Sequence, residues 1–193
     1  MKVLFVVDMI NDFVHPKGAL YLGDGVKPVV AAIKTRVRQA VKNGDVIIFL
    51  CDVHKEDDPE FKLFPKHAVS ETWGSEVLTG IEPKEGSDQS YLIGASKYES
   101  DRVYFVGKTK YDAFSGTDLE PLLRGLIRRY GRFDEYEMVG DCTSICVMDT
   151  VQGLFNRGYG PIVVYKDSVI DLTHEDHEFA LKRMATIYGV NIK

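Results

Sequence analysis

The sequence has few cysteines and no long apolar segment. Among its 193 residues only Cys51, Cys142 and Cys146 carry a thiol. Three thiols are too few, and odd in number, for a disulfide framework, so we expect them to be buried, to bind a ligand or to include a nucleophile. No apolar run approaches the roughly 20 residues of a bilayer-spanning helix. We therefore predict that the protein has no membrane partner.

Runs of basic residues are also lacking. The chain has 24 basic and 29 acidic residues, its net charge is −5, and its longest basic run covers only residues 128–129. A protein that binds nucleic acid irrespective of its sequence needs a basic surface. The composition therefore argues against a nucleic-acid partner.

The first residues do not have the pattern of a signal peptide. The segment MKVLFVVDMINDF has one lysine and a short apolar run that Asp8 ends, and no small-residue cleavage site follows. Such a segment is typical of a buried strand. We therefore expect a cytoplasmic protein.

Short apolar segments alternate with amphipathic ones along the chain. The segments that we expect to form strands are residues 2–8, 45–52, 102–108, 136–141, 161–167 and, as a short last strand, 190–192. The segments that we expect to form helices are residues 29–43, 117–131, 144–158 and 173–189. This order predicts the α/β class, with a mostly parallel sheet between two helical layers in a Rossmann-like arrangement. The length and the lack of a linker predict a single domain, residues 1–193.

Residues 53–101 are the longest part of the chain without such a pattern. They are polar and contain several glycines and prolines. An idle loop of this length is uncommon in a compact domain, so we expect irregular structure that contributes to function.

Polar residues follow four of the predicted strands. The first strand ends at Asp8, the second at Asp52 and His54, and the third at Lys108, and the fourth runs into the segment GDCTSIC. In a parallel sheet the carboxyl ends of the strands meet at one edge, where ligands bind. The sequence therefore predicts a functional site at this edge.

Cys146 is a candidate nucleophile. The segment GDCTSICV puts Cys142 and Cys146 near the start of a predicted helix, where the helix dipole lowers a thiol pKa and free N–H groups can bind an oxyanion. The alternative for both cysteines is that each is a small, buried apolar residue of the core. Redox or metal pairing is disfavoured because the spacing is CxxxC and not CxxC.

A nucleophilic thiol needs a base and a balancing charge. Asp8 and Lys108 are the candidates, since both end strands of the predicted sheet. The alternatives are a turn cap for Asp8 and a surface lysine for Lys108.

Four side chains that can bind a metal lie close together in CDVHKEDDPEFKLFPKH, residues 51–67. They are Asp52, His54, Glu60 and His67. Their spacing matches neither a zinc finger nor an HExxH helix, so the spacing alone leaves a metal site open.

Several dispersed segments resemble one family. VVDMINDF, DVH, the GK that precedes KYDAFSGTDL, and GDCTSICV are similar to motifs of the isochorismatase-like cysteine hydrolase superfamily, and within it to nicotinamidases. The resemblance covers residues 2–190. It implies the isochorismatase-like fold.

The resemblance also implies a catalytic triad. Asp8 would deprotonate Cys146 and Lys108 would orient the pair. A cis peptide would join Asp141 to Cys142, so that the N–H groups of Cys142 and Cys146 face the oxyanion. The chain departs from the family at Asp141, where members commonly carry an apolar residue, and in residues 84–101, from which we infer nothing.

A metal site is implied as well. Asp52, His54 and His67 would bind one divalent ion, with Glu60 acting partly through water. Zinc is the first expectation, although imidazole and carboxylate ligands also suit iron, manganese or nickel. The ion would bind the pyridine nitrogen of nicotinamide. The aromatic residues implied around the ring are Phe13, Trp73 and Tyr111.

The implied reaction is hydrolysis of nicotinamide to nicotinate and ammonia through a Cys146 thioester, in NAD salvage. The first alternative is a related cysteine amidase for another small amide or carbamoyl compound. A metal-hydroxide hydrolase with Cys146 as a bystander and a non-enzymatic binding module are further alternatives. Isochorismatases resemble this chain as well, but they lack the nucleophilic cysteine and the set of metal-binding residues, so an isochorismatase activity is disfavoured. The sequence leaves open whether the protein is a homo-oligomer.

Overall fold

The structure is a computed structural model that describes residues 1–82, 96–100 and 102–193, with the backbone alone for residues 96–100. Its strands are β1 (Val3–Val7), β2 (Val46–Asp52), β3 (Ser96–Ser100), β4 (Val103–Lys108), β5 (Tyr136–Asp141), β6 (Ile162–Ile170) and β7 (Asn191–Ile192). Its helices are α1 (Asn11–Val14), α2 (Val26–Asn43), α3 (Leu119–Tyr130), α4 (Met148–Asn156) and α5 (His174–Tyr188). Short 3₁₀ turns cover Pro59–Lys62 and Trp73–Ser75.

The strands form one sheet in the order β3-β4-β2-β1-β5-β6-β7. All described pairs are parallel except β3 with β4. Every residue of β1, β2, β4 and β5 is buried, which is why these strands are apolar on both faces. The predicted mostly parallel α/β sheet is confirmed.

Helices cover both faces of the sheet. On one face Val3, Phe5 and Val7 of β1 share a core with residues of α3, α4 and α5. On the other face Leu4 and Val6 share a core with residues of α2. Burial of each such side chain contributes about 1.5–3 kcal/mol, so both layers are held mainly by apolar contact.

Strand β3 contradicts the expectation that residues 53–101 are irregular throughout. It pairs antiparallel with β4 at the edge of the sheet. Its sequence, SKYES, lacks an apolar run because only one side of an edge strand is paired, and charged residues there are common. Residues 53–82 are irregular apart from the two 3₁₀ turns, and residues 84–95 and 101 of the poorly matching segment lie outside the described residues.

The helix predicted over residues 144–158 begins differently. A π-helical turn, Thr143–Val147, follows β5 and leads into α4. The carbonyl of Cys142 accepts from the N–H groups of Ile145 and Val147, both at 3.1 Å. Cys146 therefore lies in a widened turn at the carboxyl edge of the sheet and not within a regular helix.

Strand register brings the polar residues to one edge. Asp52 pairs with Lys108 across β2 and β4, and Val7, just before Asp8, pairs with both Leu50 and Gly140. Within the described residues no helix combines the length and the apolar character that crossing a membrane requires.

Candidate active site

Asp8 directly follows β1, and its carboxylate is fully buried. Its φ of 52° is in the left-handed region, which aspartate tolerates better than most residues. Its backbone N–H donates to the carbonyl of Leu50 at 2.8 Å, and its Oδ1 accepts from the N–H of Asp52 at 2.7 Å. These two bonds tie Asp8 to β2 and fix the direction of its carboxylate.

Lys108 connects the polar groups at this edge. Its side chain is fully buried, which rules out the alternative of a surface lysine. Its Nζ lies 2.8 Å from Asp8 Oδ2, 3.4 Å from Asp52 Oδ1 and 3.4 Å from Cys146 Sγ. One ammonium group therefore balances two buried carboxylates and contacts the thiol.

Burial and neighbouring charges set the protonation of these groups. Burial raises the pKa of Asp8, and the charge of Lys108 opposes that rise. Burial alone would lower the pKa of Lys108, but Asp8, Cys146 and Asp52 raise it well above its usual value. The resting site therefore holds a protonated lysine beside Asp8.

The Cys146 thiol is only 8% exposed and interacts electrostatically with Asp8. Burial raises its pKa well above the ordinary value, the charge of Asp8 raises it further, and Lys108 opposes both. The expectation that a helix dipole lowers this pKa is wrong, because desolvation and an adjacent carboxylate outweigh the effect of the turn. The proton rests on sulfur, next to a carboxylate that can accept it.

The backbone beside Cys146 has the geometry that the resemblance implies. The peptide bond between Asp141 and Cys142 is cis. The N–H of Ser144 donates to Asp171 Oδ2 at 2.5 Å, which attaches the π-helical turn to the end of β6. Burial also raises the pKa of the Cys142 thiol, so it does not compete as a thiolate.

Three buried side chains form a candidate metal centre. Donor atoms of Asp52, His54 and His67 lie within 4.8 Å of one another. Asp52 Oδ2 is 2.9 Å from His54 Nε2 and 3.4 Å from His67 Nε2. Two imidazole nitrogens and a carboxylate oxygen are a common donor set for a divalent transition metal.

Two outer contacts orient the imidazoles. His67 Nδ1 donates to the carbonyl of Pro65 at 2.7 Å, which leaves Nε2 free to coordinate. His54 Nδ1 lies 3.1 Å from Asp58 Oδ2. Such second contacts fix the ring tautomers of metal-binding histidines. The residues present therefore fit a divalent cation.

Glu60 stands apart from the three inner donors. Its Oε1 is 3.9 Å from His67 Nε2. Its carboxylate forms a second cluster of possible metal donors with His54 and Asp58. Burial and the nearby charge of Glu60 raise the pKa of Tyr111. The sequence analysis did not predict the contact of Asp58 with His54, although a carboxylate four residues after a candidate metal-binding histidine could have indicated it.

The charges of the imidazoles reflect the carboxylates around them. Burial would lower the pKa of His54, but its bond to Asp52 and the nearby Asp58 and Glu60 raise it to about 9. The pKa of His67 is also raised against burial, mainly by Asp52. A cation at this site would therefore compete with protons for the same nitrogens.

A cavity of about 70 Å³ joins the thiol to the metal donors. Phe13 and Tyr111 line it, and the Phe13 ring centroid is 5.5 Å from that of His67. Trp73 is not among the described residues that line it. Its side chain is 45% exposed and packs edge-on against His15 at 4.9 Å.

Several lining residues were not predicted. They are Leu20, Leu22, Phe64, Ile145 and Leu172. Each is an ordinary apolar residue in a loop or turn, so nothing in the sequence separates it from a core residue.

Comparison with known proteins agrees with this architecture. The chain matches the isochorismatase domain family over residues 2–192. It is 34% identical, over 99% of its length and 98% of the relative, to an uncharacterized isochorismatase family protein PncA of Bacillus subtilis (strain 168).

Solved structures are also similar. The pyrazinamidase/nicotinamidase of Streptococcus mutans UA159 superimposes with a TM-score of 0.84 at 34% identity, over 100% of both chains. The pyrazinamidase of Pyrococcus horikoshii, solved with zinc, has a TM-score of 0.79 at 26% identity, over 100% of this chain and 98% of that one. The chain therefore belongs to the isochorismatase family of hydrolases.

Proposed function

We propose that the protein is a nicotinamidase, which hydrolyses nicotinamide to nicotinate and ammonia. The observation that carries this proposal is the position of Lys108. Its ammonium lies 3.4 Å from both Cys146 Sγ and Asp52 Oδ1, so a candidate nucleophile and a candidate metal centre share one cavity. The similarity to solved nicotinamidases supports the same substrate.

In the proposed reaction Asp8 accepts the proton of Cys146, and Lys108 stabilises the resulting charges. The thiolate then attacks the carboxamide carbon. The N–H groups of Cys142 and Cys146 stabilise the oxyanion, and loss of one such donor typically costs about 3–4 kcal/mol. Asp8 returns its proton to the leaving ammonia.

The second half of the reaction regenerates the thiol. Asp8 accepts a proton from water, whose oxygen attacks the thioester carbon. Nicotinate leaves, and the proton returns to the Cys146 sulfur. The buried carboxylate serves as base and acid in turn, which suits a group whose pKa is raised by burial.

The metal centre has a binding role in this proposal. Asp52, His54 and His67 would hold a divalent ion, zinc first, with Glu60 near its outer side. When bound, the ion would supply a coordination position for the pyridine nitrogen and withdraw electron density from the ring. Phe13 and Tyr111 line the cavity and would pack against the ring and limit its orientation.

An ammonia-release assay with nicotinamide tests the proposal, and Cys146→Ala is the decisive variant. We expect turnover to be abolished and the metal content to be unchanged, because Cys146 is not a metal donor. Cys51→Ala is the matched control, since Cys51 is a buried thiol on β2. Full activity of Cys146→Ala would exclude the thioester.

A cysteine amidase for another small amide or carbamoyl compound is the second candidate. It would use the same three groups, Asp8, Lys108 and Cys146, but would not need the metal centre. Turnover of a panel of amides with and without a chelator separates the two. Preference for a non-aromatic amide, unaffected by chelation, would favour the second candidate.

Alkylation of Cys146 separates the proposed thioester mechanism from attack by a metal hydroxide. Iodoacetamide should inactivate the enzyme by alkylating Cys146, and nicotinamide should protect it. Full turnover after complete alkylation of Cys146 would support attack by a metal hydroxide.

A further inference from the structure

Asp141 ends β5 beside the candidate active site, and its side chain has no assigned role. It is fully buried and lines the same cavity as Cys146. Neither of its carboxyl oxygens has a hydrogen-bond partner among the residues that the structure describes. A buried carboxyl group without a partner is costly, so its retention calls for a partner that enters the cavity.

Other buried carboxylates nearby are paired. Glu137, on the same strand, accepts from Lys2 Nζ at 2.8 Å and from the Tyr165 hydroxyl at 2.7 Å. Asp171 accepts from two backbone N–H groups, at 2.5 and 2.8 Å. Among the buried carboxyl groups of the described residues, both oxygens are unpaired only in Asp141. The sheet does not require a carboxyl group at this position, because an apolar residue could be buried there at a lower cost in free energy.

Neither oxygen of Asp141 has a cationic hydrogen-bond partner among the described residues. The ammonium of Lys108 instead contacts Asp8, Asp52 and Cys146. Burial raises the pKa of Asp141 well above its usual value, and the charge of Asp8 raises it further. A neutral carboxylic acid has an acceptor oxygen and an O–H donor, and an ionised one has two acceptor oxygens. In either state one oxygen can accept an N–H group.

The position of Asp141 in the sheet indicates which part of a substrate it meets. Asp52, a metal donor, ends β2, whereas Asp141 ends β5, and β1 lies between them. Strands are about 4.8 Å apart, so these residues are separated by roughly 10 Å. The π-helical turn that carries Cys146 starts two residues after Asp141. Asp141 is therefore at the end of the cavity where the thiol attacks.

We propose that an oxygen of Asp141 accepts a hydrogen bond from the carboxamide nitrogen of the substrate, so that Asp141 selects primary amides over esters. This inference rests on the proposed amidase function. A site built to bond a substrate N–H discriminates against an analogue that lacks it, because the buried acceptor is then left unpaired.

The test compares nicotinamide with methyl nicotinate, which has the same ring and carbonyl but no N–H group. For Asp141→Val we expect kcat/KM for nicotinamide to fall about 10- to 100-fold, while kcat/KM for methyl nicotinate changes less than about 3-fold. Asp141→Ala serves as a second apolar variant should Val not fit. Asp141→Asn keeps an acceptor oxygen and should retain most of the preference for the amide.

A control variant and a stability measurement exclude a purely structural role. Glu137→Gln alters a buried carboxylate of the same strand that is outside the cavity, and should leave the amide-to-ester ratio of kcat/KM unchanged. Thermal unfolding of Asp141→Val should occur at a Tm no lower than that of the wild type, because an unpaired polar group is removed.

The outcomes separate this inference from the proposed function. An amide-to-ester ratio that is the same in Asp141→Val, Asp141→Ala and the wild type would overturn the role of Asp141 and leave the nicotinamidase proposal standing. A wild-type enzyme that hydrolyses neither compound would overturn both.

Discussion

Lys108 contacts three side chains, two carboxylates and a thiol, and each contact constrains the others. The carboxylates of Asp8 and Asp52 and the sulfur of Cys146 all lie within 3.4 Å of its Nζ. A buried ion pair adds little net stability, but removal of one partner leaves a charge that nothing compensates. Lys108 therefore determines whether Asp8 can remain ionised as a base.

Replacement of Lys108 by methionine, which has similar length, should lower kcat/KM by at least about 100-fold, the usual contribution of acid–base catalysis. The cause is a further rise in the pKa of Asp8, which then no longer accepts the thiol proton. Ammonia release measures the effect. Lys2→Met is the matched control, because Lys2 pairs with Glu135 and Glu137 away from the cavity. Comparable losses in both variants would contradict this role.

At the scale of elements, Asp12 of α1 holds the loop that carries the metal donors. Its Oδ1 accepts from the N–H of Ala19 at 3.0 Å, and its Oδ2 accepts from the N–H of Ala68 at 2.7 Å. Ala68 directly follows His67. A side chain at Gly74 would overlap the same carboxylate, so this position requires glycine. One buried carboxylate thus joins three segments.

Asp12→Ala should weaken metal binding by about 10- to 100-fold, as is typical when an outer support of a metal ligand is lost. Dialysis against a graded series of metal buffers measures the affinity. Asp24→Ala is a suitable control, because Asp24 is an exposed aspartate that pairs with Tyr21 and Lys27. Unchanged affinity in Asp12→Ala would mean that His67 is held by other contacts.

Helix α5 contacts the start of the π-helical turn through a titratable group. His177 Nδ1 lies 2.9 Å from the hydroxyl oxygen of Thr143. Burial lowers the pKa of His177 below its ordinary value of 6.5. The folded state therefore binds fewer protons than the unfolded chain as pH falls below 6.5.

The stability contributed by neutral His177 is fully present above pH 6.5 and is lost as pH falls through its folded pKa. We expect the Tm of the wild type to decrease over this range by more than that of His177→Gln, which keeps a hydrogen-bonding side chain but does not titrate. Thermal unfolding across a pH series measures the difference. Parallel curves for the two proteins would disprove the contribution of His177.

At the scale of the whole molecule, the metal donors connect loop and sheet. Asp52 belongs to β2, whereas His54 and His67 lie in the irregular segment that follows it. A cation bound to all three would stabilise the folded state over the unfolded chain. Binding at 100 times the dissociation constant contributes about 2.7 kcal/mol.

Added Zn²⁺ should therefore raise the Tm of metal-free protein in a saturable manner. His67→Asn should abolish most of this rise, since it removes one of three donors. His15→Asn is the control, because His15 packs on Trp73 and is not part of the donor cluster. An equal rise in all three proteins would indicate zinc binding elsewhere.

Much of the architecture was predictable because it depends on local pattern. The fully buried strands appear as apolar runs, and Gly44 ends α2 in a left-handed conformation with a φ of 70°. Edge strand β3 was missed because a polar strand has no such pattern. Asp58 and Asp12 were missed because their roles depend on contacts with residues that local pattern does not identify.

By itself the sequence determined the alternation of strands and helices and the residue types available at the carboxyl edge of the sheet. These follow from the spacing of apolar side chains and from capping, which act within a few residues. Only the tertiary structure decided that Lys108 contacts Asp8, Asp52 and Cys146 together, that the Cys146 thiol has a raised pKa, and that Trp73 lies outside the cavity. The physical reason is that desolvation and charge–charge distances depend on the register of strands that are far apart in the chain.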